Sequence, residues 1–243
     1  MNTLEELKAG SLLGCTRLQL VAELTEFPKE IYTLADTLEI LDLSNNQLSD
    51  LPDDFYKLKN LKRLFLSFNQ FKHIPDVLRQ CPNLIMVAFK GNQITEFKAH
   101  CLPTQIEWLI LTDNQIPVLP DTFGEYSKLK KLALAGNQLT HLPVSMADCK
   151  ELELIRLSAN KLTKVEDWLL ALPKLAWLAF SGNDLNRSTS LHCEQFSKIT
   201  LDEIEVKKQI GQGASGVIHL ANWHQRPVAL KLFKGEITSD GYP

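Results

Sequence analysis

Gly211, Gly213 and Gly216 are spaced so that successive backbone N–H groups can close around an anion. With no Cβ, each lets a phosphate approach the main chain closely. Lys231 follows 15 residues after Gly216, at the end of Val228-Ala-Leu-Lys231. This glycine spacing alone also opens dinucleotide-binding folds, in which it leads into a helix. Here it leads into Val217-Ile218-His-Leu220-Ala221, and Pro227 follows. β-Branched residues and an internal proline disfavour a helix over 217–230. The order read is a strand over 201–210, a glycine loop, a strand over 217–221, a turn over 223–227, and a strand over 228–233.

That order resembles the start of a protein kinase N-lobe. The resemblance implies that Gly211, Gly213 and Gly216 cover the phosphates of ATP and that Ile218 and Ala229 sandwich the adenine. It implies that Lys231 contacts the α- and β-phosphates and pairs with a glutamate of a later helix. The plainer reading of Lys231, an ordinary solvated lysine, does not account for the pattern around it. Only 12 residues follow Lys231, and Glu236 and Asp240 sit too early to be a catalytic base or a Mg²⁺ ligand. ATP and Mg²⁺ are therefore expected only in a full-length protein. Residues 1–243 are expected to bind neither and to hold no catalytic residue. Three N-lobe strands alone should also leave apolar surface uncovered.

What stands before residue 200 is a repeat. Leu38-x-x-Leu41-x-Leu43-x-x-Asn46-x-Leu48-x-x-Leu51-Pro52 states it in full. Further copies open at Leu61, Leu84, Ile106, Leu129, Leu152 and Leu175, in steps of 23, 23, 22, 23, 23 and 23, and a weaker copy opens at Cys15. This is the leucine-rich repeat signature, with about eight units. The fold class expected is an α/β solenoid, with a curved parallel sheet on the concave face and short helices or 3-10 turns on the convex face. The first strands of a kinase N-lobe would follow it.

The repeat explains its own fixed positions. The leucines of each short strand point inward, and a single unit cannot bury them without neighbours. Asn46, Asn69, Asn92, Asn114, Asn137, Asn160 and Asn183 form a column whose amides can satisfy backbone groups between coils. On the convex side, Tyr32, Phe55, Leu78, Phe123, Met146 and Leu169 stand six residues before an opening position, and Leu58, Cys81, Tyr126, Cys149 and Leu172 three before. Cys81 and Cys149 thus fill leucine slots and read as buried apolar residues, as does Cys15. Cys101 lies in the 22-residue unit, where the register is ambiguous, and Cys193 lies past the array.

Domain bounds follow from these patterns. Residues 1–14 form an N-terminal cap helix (residues 3–13 its core), 15–190 the repeats, 191–200 a cap or linker, and 201–243 the incomplete N-lobe. The first unit is degenerate: Glu23 stands where asparagine is expected, and Leu24 and Phe27 come one residue early.

Bulk properties exclude several functions. A formal charge of -3 gives no strong positive field for nucleic acid or an anionic membrane. No run of 18 apolar residues exists, and Glu5 and Glu6 stand where a secretory signal would be positive. The five cysteines are odd in number and form no CxxC pair, which suits the cytoplasm.

Strand positions between the core leucines face the concave side. The third, fifth and eighth positions should be free of the repeat constraint and hence informative. Arg63, Phe65, Phe68, Met86, Trp108, Ile110, Leu154, Arg156 and Trp177 compose an aromatic, apolar and cationic track on a face open to water. Such a track is expected to hold a protein partner or the protein's own kinase domain. Lateral packing along the sheet is the alternative for any single member.

As a whole the chain resembles bacterial leucine-rich-repeat protein kinases, with the repeats covering residues 1–190 and the kinase start covering 200–234. The resemblance implies a cytoplasmic serine/threonine kinase whose repeats recruit a substrate or regulate catalysis. The alternative is a non-enzymatic protein-binding scaffold.

Overall fold

Each LxxLxL segment forms one short strand because a solenoid coil turns away after three extended residues. The chain is described as a computed structural model over residues 2–185, 199–213 and 216–233. It divides into two units, Met1–Leu185 and Asn186–Pro243.

In the first unit β1 (Arg17–Gln19), β2 (Ile40–Asp42), β3 (Arg63–Phe65), β4 (Met86–Ala88), β5 (Trp108–Ile110), β6 (Lys131–Ala133), β7 (Leu154–Arg156) and β8 (Trp177–Ala179) build one parallel sheet in chain order. The register pairs third position with third position throughout, from Arg17↔Ile40 to Leu154↔Trp177. The middle residues of β1 to β7, such as Leu41, Leu64 and Leu132, are buried. Burying each contributes roughly 1.5–3 kcal/mol.

The asparagine column is built as its chemistry requires. Asn137 Oδ1 accepts from the Ile116 N–H at 3.0 Å, and its Nδ2 donates to the carbonyls of Leu111 and Leu134 at 2.9 and 3.0 Å. The same pattern recurs at Asn69, Asn92, Asn114 and Asn160. Asn46 also rescues the degenerate first unit. Its Oδ1 accepts from both Ala22 and Leu24, while Glu23 takes a positive φ of 51°. A second ladder was not read from the sequence. Thr37, Asn60, Asn83 and Gln105, each one residue before an opening position, donate to carbonyls of the preceding coil.

The convex side carries 3-10 turns at Lys29–Leu34, Phe55–Lys57, Asp76–Gln80, Phe123–Glu125 and Val144–Asp148, and one α-helical turn, α2 (Asp167–Leu170). Pro28, Pro75 and Pro143 precede three of these turns. Tyr32 departs from its expected slot. Ile31 and Leu34 fill the core there, and Tyr32 is half-buried, donating to Asp54 Oδ1 at 2.5 Å. Gly124 has a steric reason to be glycine, since a Cβ there would overlap the Ser145 carbonyl. The expected cap helix over 3–13 is shorter, α1 (Leu4–Lys8). Thr3 and Glu6 close its start as a capping box, and Gly10, at φ 75°, turns the chain out of it.

Cys81, Cys101 and Cys149 are buried, which places Cys101 in the core. Cys193 and the linker at 186–198 lie outside the described residues. Burial pushes the three thiols up to about 12. An unfolded thiol ionises near about 8.5. A raised folded value contributes stability that is complete below the unfolded value and is lost as pH climbs toward the folded one. The urea midpoint is thus expected to fall from about pH 8.5 upward toward 12, and less steeply after Cys149→Ala. An equal slope in that variant would contradict the assignment.

The second unit is an antiparallel meander, order β11-β10-β9, of β9 (Ile204–Gly213), β10 (Gly216–Trp223) and β11 (Arg226–Phe233). Two expectations are corrected here. Leu201–Glu203 is a 3-10 turn rather than strand, closed by Thr200 and Glu203 as a capping box. The strands also run further into the glycine segment than expected, with Gly213 paired to Gly216. His224 and Gln225, both at positive φ, make the two-residue turn between β10 and β11, the geometry that matches strand twist. Val206, Ile210 and Leu232 are exposed on the sheet. Among the described residues, no helix is long and apolar enough to cross a membrane.

Candidate functional site

The register lines up Arg63, Met86, Trp108, Lys131, Leu154 and Trp177 side by side across β3 to β8. Trp108 is 36% exposed and Trp177 52%. Arg63 is exposed, and Leu154 is half-buried. Two rows on, Phe65, Ile110 and Arg156 are half-buried, spaced by the buried small residues Ala88 and Ala133.

Met86 corrects the sequence reading, because it is only 6% exposed. It lies in register between Arg63 and Trp108, whose larger side chains share its walls. A flexible thioether fills such a gap well. Met86 floors a small pocket of about 80 Å³ lined by Arg63, Ile85, Glu107 and Trp108. It is therefore the bottom of a site rather than part of its open surface.

The eighth position is also less free than the spacing suggested. Asn45, Phe68, Gly91, Asp113, Gly136, Ala159 and Gly182 all take positive φ, between 53° and 72°. That conformation favours glycine, asparagine and aspartate. Phe68 is the outlier, a bulky residue at φ 55° and 49% exposed. Holding it there costs of order 1–3 kcal/mol. Its ring lies against Gly91, where a Cβ would stand 2.6 Å from Phe68 Cδ1, and Lys90 Nζ is 5.6 Å from the ring centre.

Two cations that the sequence reading did not select belong to this surface. Lys131 Nζ lies 4.0 Å from the centre of the Trp108 ring, a cation–π contact. Lys90 links Phe68 to Asp113, 3.8 Å away. The signal for Lys131 was its third-position register beside Trp108. Lys90 stands one residue outside the positions that the repeat marks as facing inward.

In the second unit Gly211, Ile218 and Lys231 share one row, since Ile218 pairs with Gly211 on one side and Lys231 on the other. Ala229 pairs with Leu220, two residues along the same face. A Cβ on Gly211 would stand 3.7 Å from Ile218 Cδ1, an ordinary contact. The sheet itself does not demand glycine there. Among the described residues no group of three or more His, Cys, Asp or Glu is placed to hold a metal ion.

Comparison with known proteins bears on the first unit. The leucine rich repeat profile matches residues 36–94, 104–162 and 127–185. The probable serine/threonine-protein kinase pats1 of Dictyostelium discoideum is 38% identical over 102 residues, 40% of this chain and 3% of that protein. Toll-like receptor 2 type-2 of Gallus gallus is 34% identical over 106 residues, 40% of this chain and 13% of the receptor. The chain thus spans a small part of these relatives, and the kinase relatives match its repeats alone. Among solved structures, a leucine-rich-repeat protein of Leptospira interrogans superposes with a TM-score of 0.59 at 26% identity, covering 73% of this chain and 52% of that one. The plant peptide hormone receptor RGFR1, in complex with RGF2, gives 0.59 at 25% identity, over 73% of this chain and 30% of the receptor. With more than half its length matched, in units that each contribute one strand to a single parallel sheet, the chain belongs to the leucine-rich repeat family.

Proposed function

We propose that the repeats are a protein-recognition domain whose concave face, from Arg63 to Trp177, holds a protein partner. The exposure of Trp108 and Trp177 on one row of a sheet carries this reading. Tryptophan and arginine are the residues that most often anchor interfaces. Phe68, kept exposed at a backbone cost, supports it. So does the similarity to RGFR1, a receptor seen in complex with RGF2.

The full-length protein, in this reading, is a cytoplasmic serine/threonine kinase of bacterial leucine-rich-repeat type, and residues 201–243 begin its N-lobe. The row of Gly211, Ile218 and Lys231 fits one wall of an ATP site. Ile218 and Ala229 offer apolar surface to a base, Lys231 offers a cation, and Gly211 leaves room for close approach. ATP and its Mg²⁺ belong to the completed domain, and the bound partner is a substrate or that kinase domain itself. A second reading, a non-enzymatic scaffold, is favoured by the match of the repeats to non-kinases such as the Toll-like receptor. The reading frame past Pro243 separates them: HRDxxxxN and DFG motifs support the kinase, and a stop codon supports the scaffold.

Trp108→Ala and Trp177→Ala should leave far-UV circular dichroism unchanged. Trp177→Ala should shift stability by less than about 0.5 kcal/mol, and Trp108→Ala, which uncovers Met86 and releases Lys131, should cost about 1 kcal/mol. Each should weaken a partner recovered by affinity capture about tenfold, as an anchor worth more than about 1 kcal/mol requires. Unchanged affinity in both variants would remove the concave face from recognition.

A further inference from the structure

The surface assigned to a partner is cationic, although the chain as a whole carries a net charge of -3. Adjacent residues make the contrast. Lys62 and Lys130 are neutralised by Glu39 and Glu107 of the preceding coil, at 2.7 and 2.9 Å. One residue on, Arg63 and Lys131 face the concave side with no carboxylate at ion-pair distance among the described residues. The face's own acids are few: Asp42 keeps its charge but stands on β2, outside the span from Arg63 to Lys131, and Asp113 is paired. Asp42 accepts from the Gln19 side chain at 3.1 Å and from the Ser44 N–H at 3.0 Å, and Asp113 lies 3.8 Å from Lys90. Positive charge is what this surface offers outward.

The spacing of the two residues that carry that charge is specific. Arg63 is on β3 and Lys131 on β6, three strand intervals apart. Strands lie about 4.8 Å apart, which puts the two backbones roughly 14 Å from each other. An extended peptide rises about 3.3 Å per residue, so residues i and i+4 span about 13 Å and point to the same side. Residue i+2 points to that side as well. It would lie midway, over the pocket floored by Met86 and walled by Arg63 and Trp108.

We propose that the concave face takes an extended acidic segment, with carboxylates four residues apart and an aliphatic side chain midway between them. The first carboxylate pairs with Arg63 and the second with Lys131, whose ammonium is already fixed over Trp108. The aliphatic side chain enters the Met86 pocket. This inference rests on the reading of the concave face as a partner site.

A random twelve-residue peptide display library, selected on the whole chain, tests it. The enriched pool should carry Asp or Glu at i and i+4 with Leu, Ile, Val or Met at i+2. A synthetic representative should bind Arg63→Glu/Lys131→Glu at least tenfold more weakly. Its affinity should also fall severalfold between 50 and 300 mM salt, since exposed charge pairs are screened. Circular dichroism of that variant, unchanged from the parent, guards against misfolding. Neutral or basic peptides that are lost with Trp108→Ala/Trp177→Ala would leave the partner site standing and overturn the acidic segment. Acidic peptides indifferent to both double variants, or no enrichment at all, would overturn both. Displacement of the representative by a mixed-sequence RNA dodecamer, at lower concentration than by unlabelled peptide, would overturn the proposal in favour of nucleic acid.

Discussion

Phe123→Ala is expected to lower the free energy of unfolding by about 3–5 kcal/mol, the usual range for removing a buried phenylalanine. Phe123 is fully buried and meets Phe97 and Tyr126 at ring-centre distances of 5.5 and 5.2 Å. The site is poorly able to collapse once the ring is gone. Gly124, the next residue, is already pressed against the Ser145 backbone, and its N–H donates to Ser145 Oγ at 3.2 Å. A cavity that cannot close lies toward the costly end of that range. Urea denaturation followed by circular dichroism measures the loss. Val144→Ala, an exposed apolar position one coil along, is the control and should change little. A loss under about 1 kcal/mol at Phe123 would mean that this aromatic cluster does not pack as described.

Asn137→Ala is the second large effect, about 3 kcal/mol or more, and its cause is polar rather than apolar. Removing the side chain strands the Ile116 N–H inside the array and takes one of two donors from the carbonyls of Leu111 and Leu134, which keep Asn114 Nδ2 and Asn160 Nδ2. A buried N–H left without a partner costs roughly 1–3 kcal/mol, and each of the two lost hydrogen bonds adds about 0.5–1.5 kcal/mol. Neighbouring coils share the damage, because the bonds run to Leu111 and Ile116 of the preceding one. Asn183→Ala should cost much less, about 1 kcal/mol. Asn183 makes the same kinds of bond, to Leu162, Leu157 and Phe180, but sits where water can replace them. Equilibrium unfolding of the two variants, with hydrogen exchange at the Ile116 amide, measures the difference. Equal losses at Asn137 and Asn183 would show that burial does not set the strength of the ladder.

The repeat architecture was legible because it depends on residue type at a fixed interval. A leucine every few residues needs a neighbour coil to cover it, and an asparagine column needs carbonyls to hold. Both requirements can be read without coordinates, and the parallel sheet in chain order meets them. The buried thiols of Cys81 and Cys149 were legible for the same reason, since both occupy leucine slots, whereas Cys15, in such a slot of the degenerate first unit, is only half-buried. Cys101 was not legible, because the 22-residue unit has no helical turn to set its phase, and only packing puts its side chain in the core. The second ladder, from Thr37 to Gln105, was not legible because Thr, Asn, Asn and Gln fill it in turn and no single residue type marks the column.

What the sequence by itself determined is therefore the coil, its core and which side of it faces inward. What only the tertiary structure decided is which concave residues remain at the surface and what charge they present. Met86 sinks to a pocket floor, Lys131 covers Trp108, and Phe68 stands exposed on a left-handed turn. The physical reason is lateral. The exposure of a side chain on a sheet depends on the size and charge of its neighbours one strand away, and here those neighbours lie 22 or 23 residues distant in the chain. A repeat motif states where a residue points, and only the packed sheet states what stands beside it.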